Sequence, residues 1–291
     1  MTAASTAGLS FAAPRSLPDL CRLLADRSRR GKETVFLAGG TDWFVERHAG
    51  LPLDGSPLVA DLGRIDALKR IDLEGNRLLL GGAVTFAQLR RHDAVLAHAD
   101  LLRQMAADVG AAQIQERGTL GGNLATGSPA ADGVAALAAL DAELVLASTA
   151  GERRVPLSRF YTGYRTTVRR PDEVIARIEL IVSRAGIHHW KKVATRRAQA
   201  ISKVALAAVA EREGDRLVRL GLGMASVGPT VAFLEPVRLL GLSRPVAAIS
   251  PAELDAATDA SISPIDDVRS TAAYRRHVAR ALVRNFFATL S

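Results

Sequence analysis

The sequence predicts an α+β chain of two domains, and three observations carry that prediction. Short apolar runs bounded by turn residues alternate with longer amphipathic runs from residue 14 onward. Two glycine-rich stretches, Ala38-Gly-Gly-Thr-Asp42 and Thr119-Leu-Gly-Gly-Asn123, sit next to such runs. The character of the chain changes around Ser183-Arg-Ala-Gly186, dividing residues 1–183 from a smaller part, 184–291, and the larger part divides again near residue 57. A length of 291 residues is enough for two ordinary cores.

In chain order, Pro14 to Leu24 begins a helix with Ser16 as N-cap. Thr34 to Leu37 is a short strand, and the first glycine stretch leads from it into a helical or extended run, Trp43 to Arg47. Leu51 to Pro57 is a loop. Pro57 to Leu62 and Arg77 to Gly81 are strands, with a short apolar segment from Ile65 to Ile71 and a turn at Gly75-Asn76 between them. Thr85 caps a helix over Phe86 and Leu89, and one longer helix is expected from Val95 to Val109. After the second glycine stretch, Ala130 to Leu140 is a helix, Glu143 to Ala147 a strand, Gly151 a turn, Arg153 to Leu157 a return strand and Val174 to Val182 another strand. The second part reads as a strand (His189 to Ala194), a helix (Ser202 to Glu211), a turn at Gly214-Asp215 and a strand (Leu217 to Ala225). Helices follow Pro251 and Ser270, the last being a basic amphipathic helix from Tyr274 to Leu290.

The stretch from Thr119 to Asp132 reads as a tight loop opening onto a helix. Glycine permits close approach of a bulky ligand, and a helix start offers unpaired N–H groups and a partial positive charge. That combination suits a phosphate or diphosphate. Gly121-Gly122 alone is equally a turn between core elements, but a second glycine stretch on another strand–loop element allows both to converge on one diphosphate. Neither stretch has the Gly-x-Gly-x-x-Gly spacing of a dinucleotide fold. On this reading Gly121→Val fills the phosphate space and abolishes binding, with a smaller effect on folding.

Composition narrows the function further. With 48% apolar and 23% charged residues the chain is a globular protein, and no apolar run reaches the ~18 residues of a membrane span. The small, polar start without a basic or long apolar region leads us to expect a cytoplasmic protein. A single cysteine, Cys21, forms no internal disulfide and cannot ligate an iron–sulfur cluster, and six histidines without helical pairing argue against a metal site. The net charge of +8 is spread along the sequence, with no basic run and no interleaved aromatics, so nucleic acid is not the expected partner.

Taken in order, the two glycine stretches, Ser128-Pro-x-x-Asp132, Gly163-Tyr-Arg165 and Arg196-Arg197 to Ile201-Ser202 resemble the FAD-binding subunit or domain of molybdenum hydroxylases, the family of xanthine dehydrogenase and aerobic carbon monoxide dehydrogenase. The resemblance runs from about Phe36 to the last helix. It implies a two-subdomain FAD-binding domain of the PCMH/vanillyl-alcohol-oxidase type, residues 1–183, followed by a smaller C-terminal α+β domain, residues 184–291. It implies a first FAD loop of Phe36, Leu37, Ala38, Gly39, Gly40, Thr41, Asp42 and Trp43, and a second of Thr119, Leu120, Gly121, Gly122 and Asn123, gripping the diphosphate through backbone N–H groups. Asp132 would hold polar groups of the ribityl–diphosphate region, and Ile175 and Lys192 would lie by the flavin. No catalytic residue and no metal ligand is assigned. The implied activity is that of an oxidoreductase subunit passing electrons from a 2Fe-2S subunit to an external acceptor, while a large molybdopterin subunit oxidises the substrate. The implied assembly is a heterotrimer or a dimer of heterotrimers.

One departure concerns the acceptor. Relatives often carry acidic residues just before the Ile-Ala or Ile-Ser pair, where a carboxylate influences the reaction of the flavin with the nicotinamide acceptor in xanthine dehydrogenase. This chain has Ala198-Gln-Ala200 there, which weakens the case for NAD. Two alternatives stand beside the relay. One is a self-contained flavoenzyme on a related fold, such as the reductase of UDP-N-acetylenolpyruvoylglucosamine, although the Asn-Ala-Gly-Ala-Tyr-Gly type of continuation after the glycines is absent. The other is a basic, non-enzymatic binding protein whose glycine stretches are only structural.

Overall fold

The computed structural model describes residues 9–50, 57–182 and 186–290. Most of the expected loop Leu51 to Pro57 and of the boundary Ser183 to Gly186 lies outside the described residues. The chain opens with β1 (Ser10–Ala12), α1 (Leu17–Arg29), β2 (Thr34–Leu37), α2 (Thr41–His48) and β3 (Leu58–Asp61). The three strands are parallel, with β3 in the middle. Parallel pairing needs crossovers, and α1 and α2 supply them. The Ser16 hydroxyl accepts from the Asp19 N–H, and Leu20, Cys21 and Leu24 of α1 join Ala60 and Leu62 in one cluster. Because β3 is the central strand, this unit extends past the boundary expected near residue 57.

The middle of the chain contributes β4 (Ile71–Glu74), β5 (Arg77–Gly81), α3 (Phe86–Arg91), α4 (Asp93–His98), α5 (Asp100–Ala107), α6 (Ala112–Arg117), α7 (Leu120–Thr126) and α8 (Asp132–Ala139). It continues with β6 (Glu143–Ser148), β7 (Gly151–Pro156), β8 (Tyr161–Gly163), β9 (Thr166–Thr167) and β10 (Val174–Ile181). An antiparallel sheet of order β4-β5-β10-β6-β7 results. One face presents Leu78, Leu80, Leu144, Leu146, Ile178 and Leu180 to a large core. On the other, the buried Glu179 carboxylate is ringed by Arg77, Arg154 and Arg177. The single helix expected from Val95 to Val109 is two, because Ala99 leaves the helical region at φ −141°, ψ 46°.

The last part comprises β11 (Ile187–Ala194), β12 (Ser202–Glu213), β13 (Arg216–Ala225), β14 (Ala232–Phe233), α9 (Glu235–Ser243), α10 (Pro251–Asp259) and α11 (Ala272–Ala288). Its strands form an antiparallel sheet in chain order. The helix predicted over Ser202 to Glu211 is therefore wrong: the segment is β12, the long second strand of this sheet. Alanine content suggests a helix, but burial follows a period of two. Val204, Leu206, Ala208 and Ala210 face the core under α11, while Ala205, Ala207 and Val209 face the large core of the preceding part.

That second face is kept flat for α8, whose eight residues are all buried. A Cβ on Gly221 of β13 would lie 2.0 Å from the Ala139 carbonyl oxygen, and one on Gly223 would lie 2.2 Å from that of Ala135. The helix thus rests backbone to backbone on β13 and forms a wall common to both parts. Among the described residues no helix is long and apolar enough to cross a membrane.

Candidate functional site

Two glycine-bearing turns meet at one cleft. The first ends β2 and starts α2: Gly40 takes φ +74°, a left-handed conformation that favours glycine, and serves as an N-cap without a side-chain bond. Gly39 lies against the chain just before the second turn, where a Cβ would approach the Arg117 carbonyl oxygen to 2.0 Å. The Thr126 hydroxyl of α7 donates to the Asp42 carboxylate over 2.9 Å, tying the two turns together.

The second glycine pair is not in an open loop. Thr119 caps α7, placing Gly121 and Gly122 in its first turn. Gly121 is buried, its N–H donates to the Gly82 carbonyl at 3.0 Å, and a Cβ there would lie 2.2 Å from that oxygen. Gly82 in turn lies against β10, where its own Cβ would meet the Ile175 carbonyl oxygen at 2.2 Å. Gly121 is therefore glycine because three backbone segments cross beneath the cleft, which corrects the expectation that Gly121→Val acts mainly on the phosphate space. Gly122 is different: it lines the cleft, and a Cβ there meets only the Thr119 hydroxyl, at 2.9 Å.

The cleft has a volume of about 430 Å³. It is lined by Phe36, Ala38, Gly39, Gly40, Thr41, Asp42 and Trp43 from the first turn, by Thr119, Gly121, Gly122 and Asn123 from the second, and by Ile175. Leu37, Leu120, Asp132 and Lys192 do not line it. Leu37 packs beneath Gly40, and Leu120 is wholly buried in the core. Asp132 and Lys192 pair with each other at 2.6 Å between α8 and β11, both nearly inaccessible. Ser202 donates to the second Asp132 oxygen at 2.5 Å, and Lys192 also donates to the Asp108 carbonyl at 3.0 Å. Burial pushes the Asp132 carboxyl above its ordinary value, against the opposing pull of the Lys192 ammonium and the Ser202 hydroxyl.

The two turns differ in their free donors. The N–H groups of Leu120, Gly121, Gly122 and Asn123 are taken by Val84 O, Gly82 O, Thr119 Oγ1 and Thr119 O. Among the described residues, no hydrogen bond uses the N–H groups of Thr41, Asp42 or Trp43, the first turn of an eight-residue helix. Three buried side-chain atoms of lining residues also lack partners: Thr34 Oγ1, Trp43 Nε1 and Asn123 Oδ1. Free N–H groups, an indole donor and amide and hydroxyl oxygens fit a long ligand with an anionic centre and polar ends. FAD, with its diphosphate, ribityl chain and two ring systems, has that character.

Sequence reasoning missed several lining residues, among them Thr34, Gly82, Ile114, Thr126 and Arg169. Thr126 follows the second glycine pair closely and was within reach of the motif. Arg169 carries no local signal in Val168-Arg-Arg-Pro171. Tyr161 supports the site from behind, its hydroxyl donating to the Leu124 carbonyl at 2.8 Å, with burial pushing the phenol pKa up.

Residues 7–180 match the FAD binding domain in molybdopterin dehydrogenase, and residues 189–290 match the CO dehydrogenase flavoprotein C-terminal domain. The nicotinate dehydrogenase FAD-subunit of Eubacterium barkeri is 34% identical over 200 residues, covering 67% of this chain and 66% of its own. The carbon monoxide dehydrogenase medium chain of Hydrogenophaga pseudoflava is 28% identical over 282 residues, covering 94% of each. A chain of the reconstituted CO dehydrogenase from Oligotropha carboxidovorans superposes with a TM-score of 0.88 at 25% identity, covering 98% of this chain and 97% of its own. The glycine cleft and these matches together identify the chain as a member of the FAD-binding subunits of the molybdopterin dehydrogenase family, and its cofactor as FAD.

Proposed function

We propose that this chain is the electron relay of a cytoplasmic assembly with a 2Fe-2S subunit and a large molybdopterin subunit. The chain is an FAD-bearing oxidoreductase subunit; the relay, its partners and the compartment are our reading. The observation that carries it is the make-up of the cleft. Its lining is glycine, threonine, asparagine, aliphatic and aromatic groups with a few charged ones, and it contains no histidine, cysteine, lysine or tyrosine. Groups that bind are present, whereas histidine, the side chain that most often abstracts or delivers a substrate proton, is not, and of the lining carboxylates Asp42 is bonded to Thr126 and Glu46 faces Arg165. The flavin, when bound, supplies the redox chemistry. A single cysteine leaves iron–sulfur ligands to another chain and needs no oxidising compartment.

Residue roles follow from the donors. The N–H groups at the start of α2 meet the diphosphate, Gly122 gives it room, and Asn123 and Trp43 hold polar atoms of the cofactor. Ile175 lies against a ring. Lys192 and Asp132, which pair at the junction of the two parts, hold the edge of the site in place. Residues 1–183 act as the FAD-binding domain and 184–291 as the C-terminal flavoprotein domain. The loop after β11 carries no carboxylate between Arg196 and Ile201; the Arg196 guanidinium donates to its own loop at Ala198 O and Gln199 O. NAD is accordingly not assigned as the acceptor. The test is anaerobic flavin bleaching with and without the co-purifying subunits. Substrate should bleach the flavin of the assembly and leave that of the isolated chain oxidised. Full-rate reduction of the chain alone by a small organic substrate would replace the relay with a self-contained flavoenzyme.

A further inference from the structure

The geometry points to Arg169 as the side-chain anchor of the cofactor's diphosphate, a role that rests on the FAD reading of the cleft. The charged groups lining the cleft are Glu33, Asp42, Glu46, Arg165 and Arg169. Asp42 accepts from Thr126 at 2.9 Å, and Glu46 faces Arg165 at 3.8 Å. No carboxylate oxygen among the described residues lies within 4.0 Å of the Arg169 guanidinium. The Glu173 carboxylate, four positions on, is already held by Arg153 Nε and Nη2 at 2.9 and 2.8 Å and by the Arg170 N–H at 2.8 Å.

Arg169 is nevertheless fixed in place. Its Nη1 donates to the Arg170 and Glu173 carbonyls at 3.0 and 2.9 Å, and the guanidinium lies 5.1 Å from the Phe36 ring centroid. Its Nε and Nη2 have no partner among the described residues. Burial lowers its pKa, opposed by the Glu173 and Glu33 carboxylates, yet a guanidinium keeps its charge in a protein. A part-buried cation with no counter-charge in contact is costly, and an anion relieves the cost. Phe36, over which it sits, leads directly into the turn with free N–H groups. Of the parts of FAD, the diphosphate alone carries formal charge at neutral pH. The helix start supplies only about half a positive charge, and Arg165 shares its charge with Glu46, so Arg169 supplies the full one.

The experiment titrates the FAD-free full chain with FAD, ADP and adenosine in wild type, Arg169→Gln and Arg169→Lys, with thermal melting of each. Arg169→Gln should weaken ADP and FAD by about 10- to 100-fold, the range for a hydrogen bond to a charged group, and leave adenosine affinity unchanged. Arg169→Lys should recover part of the loss, because charge remains while the planar fork does not. Equal loss of ADP and adenosine would assign Arg169 to base stacking or packing and overturn the proposal, as would wild-type FAD affinity in Arg169→Gln. Failure of the wild type to bind FAD or ADP would overturn the cleft reading itself. Where Arg169→Gln loses its fold, the wild-type Arg169 Nε–H signal in NMR decides: ADP slows its exchange and adenosine does not, and no change with ADP contradicts the anchor.

Discussion

At the scale of single residues, the two glycines of the second turn do different work although they are neighbours. Adding a side chain to Gly121 drives it into the Gly82 carbonyl, so Gly121→Val should destabilise the fold by about 3 kcal/mol or more, as overpacking against backbone does. Its melting temperature should fall together with its FAD content. Gly122→Ala, with only the Thr119 hydroxyl to displace, should melt within a few degrees of wild type and bind FAD more weakly. Thermal melting beside FAD titration separates the two, and a normal FAD affinity in Gly122→Ala would remove that residue from the site. The motif Thr119 to Asn123 was legible in the sequence, but its division of labour was not. It depends on Gly82, 39 positions earlier, which only the folded chain brings beneath α7. Arg169 was invisible for the same reason, since Phe36, over which it sits, meets it only in the fold.

Among the elements, strands with alternating burial and helices with polar caps were readable. Ser16, Thr85 and Thr119 cap helices through their hydroxyls. β12 was not readable, because a strand buried on both faces by small residues has the composition of a helix. β10 makes a testable case of charge within a sheet. Burial alone would raise the Glu179 carboxyl pKa, but bonds from Arg177 and Arg77 outweigh it and hold the group below its ordinary value. A lowered folded-state pKa contributes stability that is present above the unfolded value, about 4.3, and is lost as pH falls through the folded one. Glu179→Gln should therefore cost about 2 kcal/mol at neutral pH and flatten the acid limb of stability against pH. Denaturant melts between neutral and acid pH measure this. An acid limb as steep as that of wild type would mean that another carboxylate governs it.

Over the whole molecule, α8 is the element that makes two domains one structure. Its eight residues are buried between the large core and β12–β13, and Asp132 at its start is paired with Lys192 of β11. Lys192→Met should leave a buried carboxylate without its partner and cost about 3–5 kcal/mol, with Lys192→Arg milder. The two tryptophans belong to different parts of the chain, Trp43 to α2 and Trp190 to β11. Unfolding followed by either one, in Trp43→Phe and Trp190→Phe variants, should give coincident midpoints; separate midpoints would make the parts independent. The shared wall was not visible in the sequence, because it joins residues 60 or more apart. In the arrangement we propose, the first glycine turn supplies the free backbone donors for FAD and the second turn the packed floor. Amide hydrogen exchange on the full chain with and without FAD tests it most directly. New protection is expected at the Thr41, Asp42 and Trp43 amides, with little change at the Leu120 and Gly121 amides, which are already bonded. Unchanged exchange at Thr41 to Trp43 in the FAD-bound protein would contradict it.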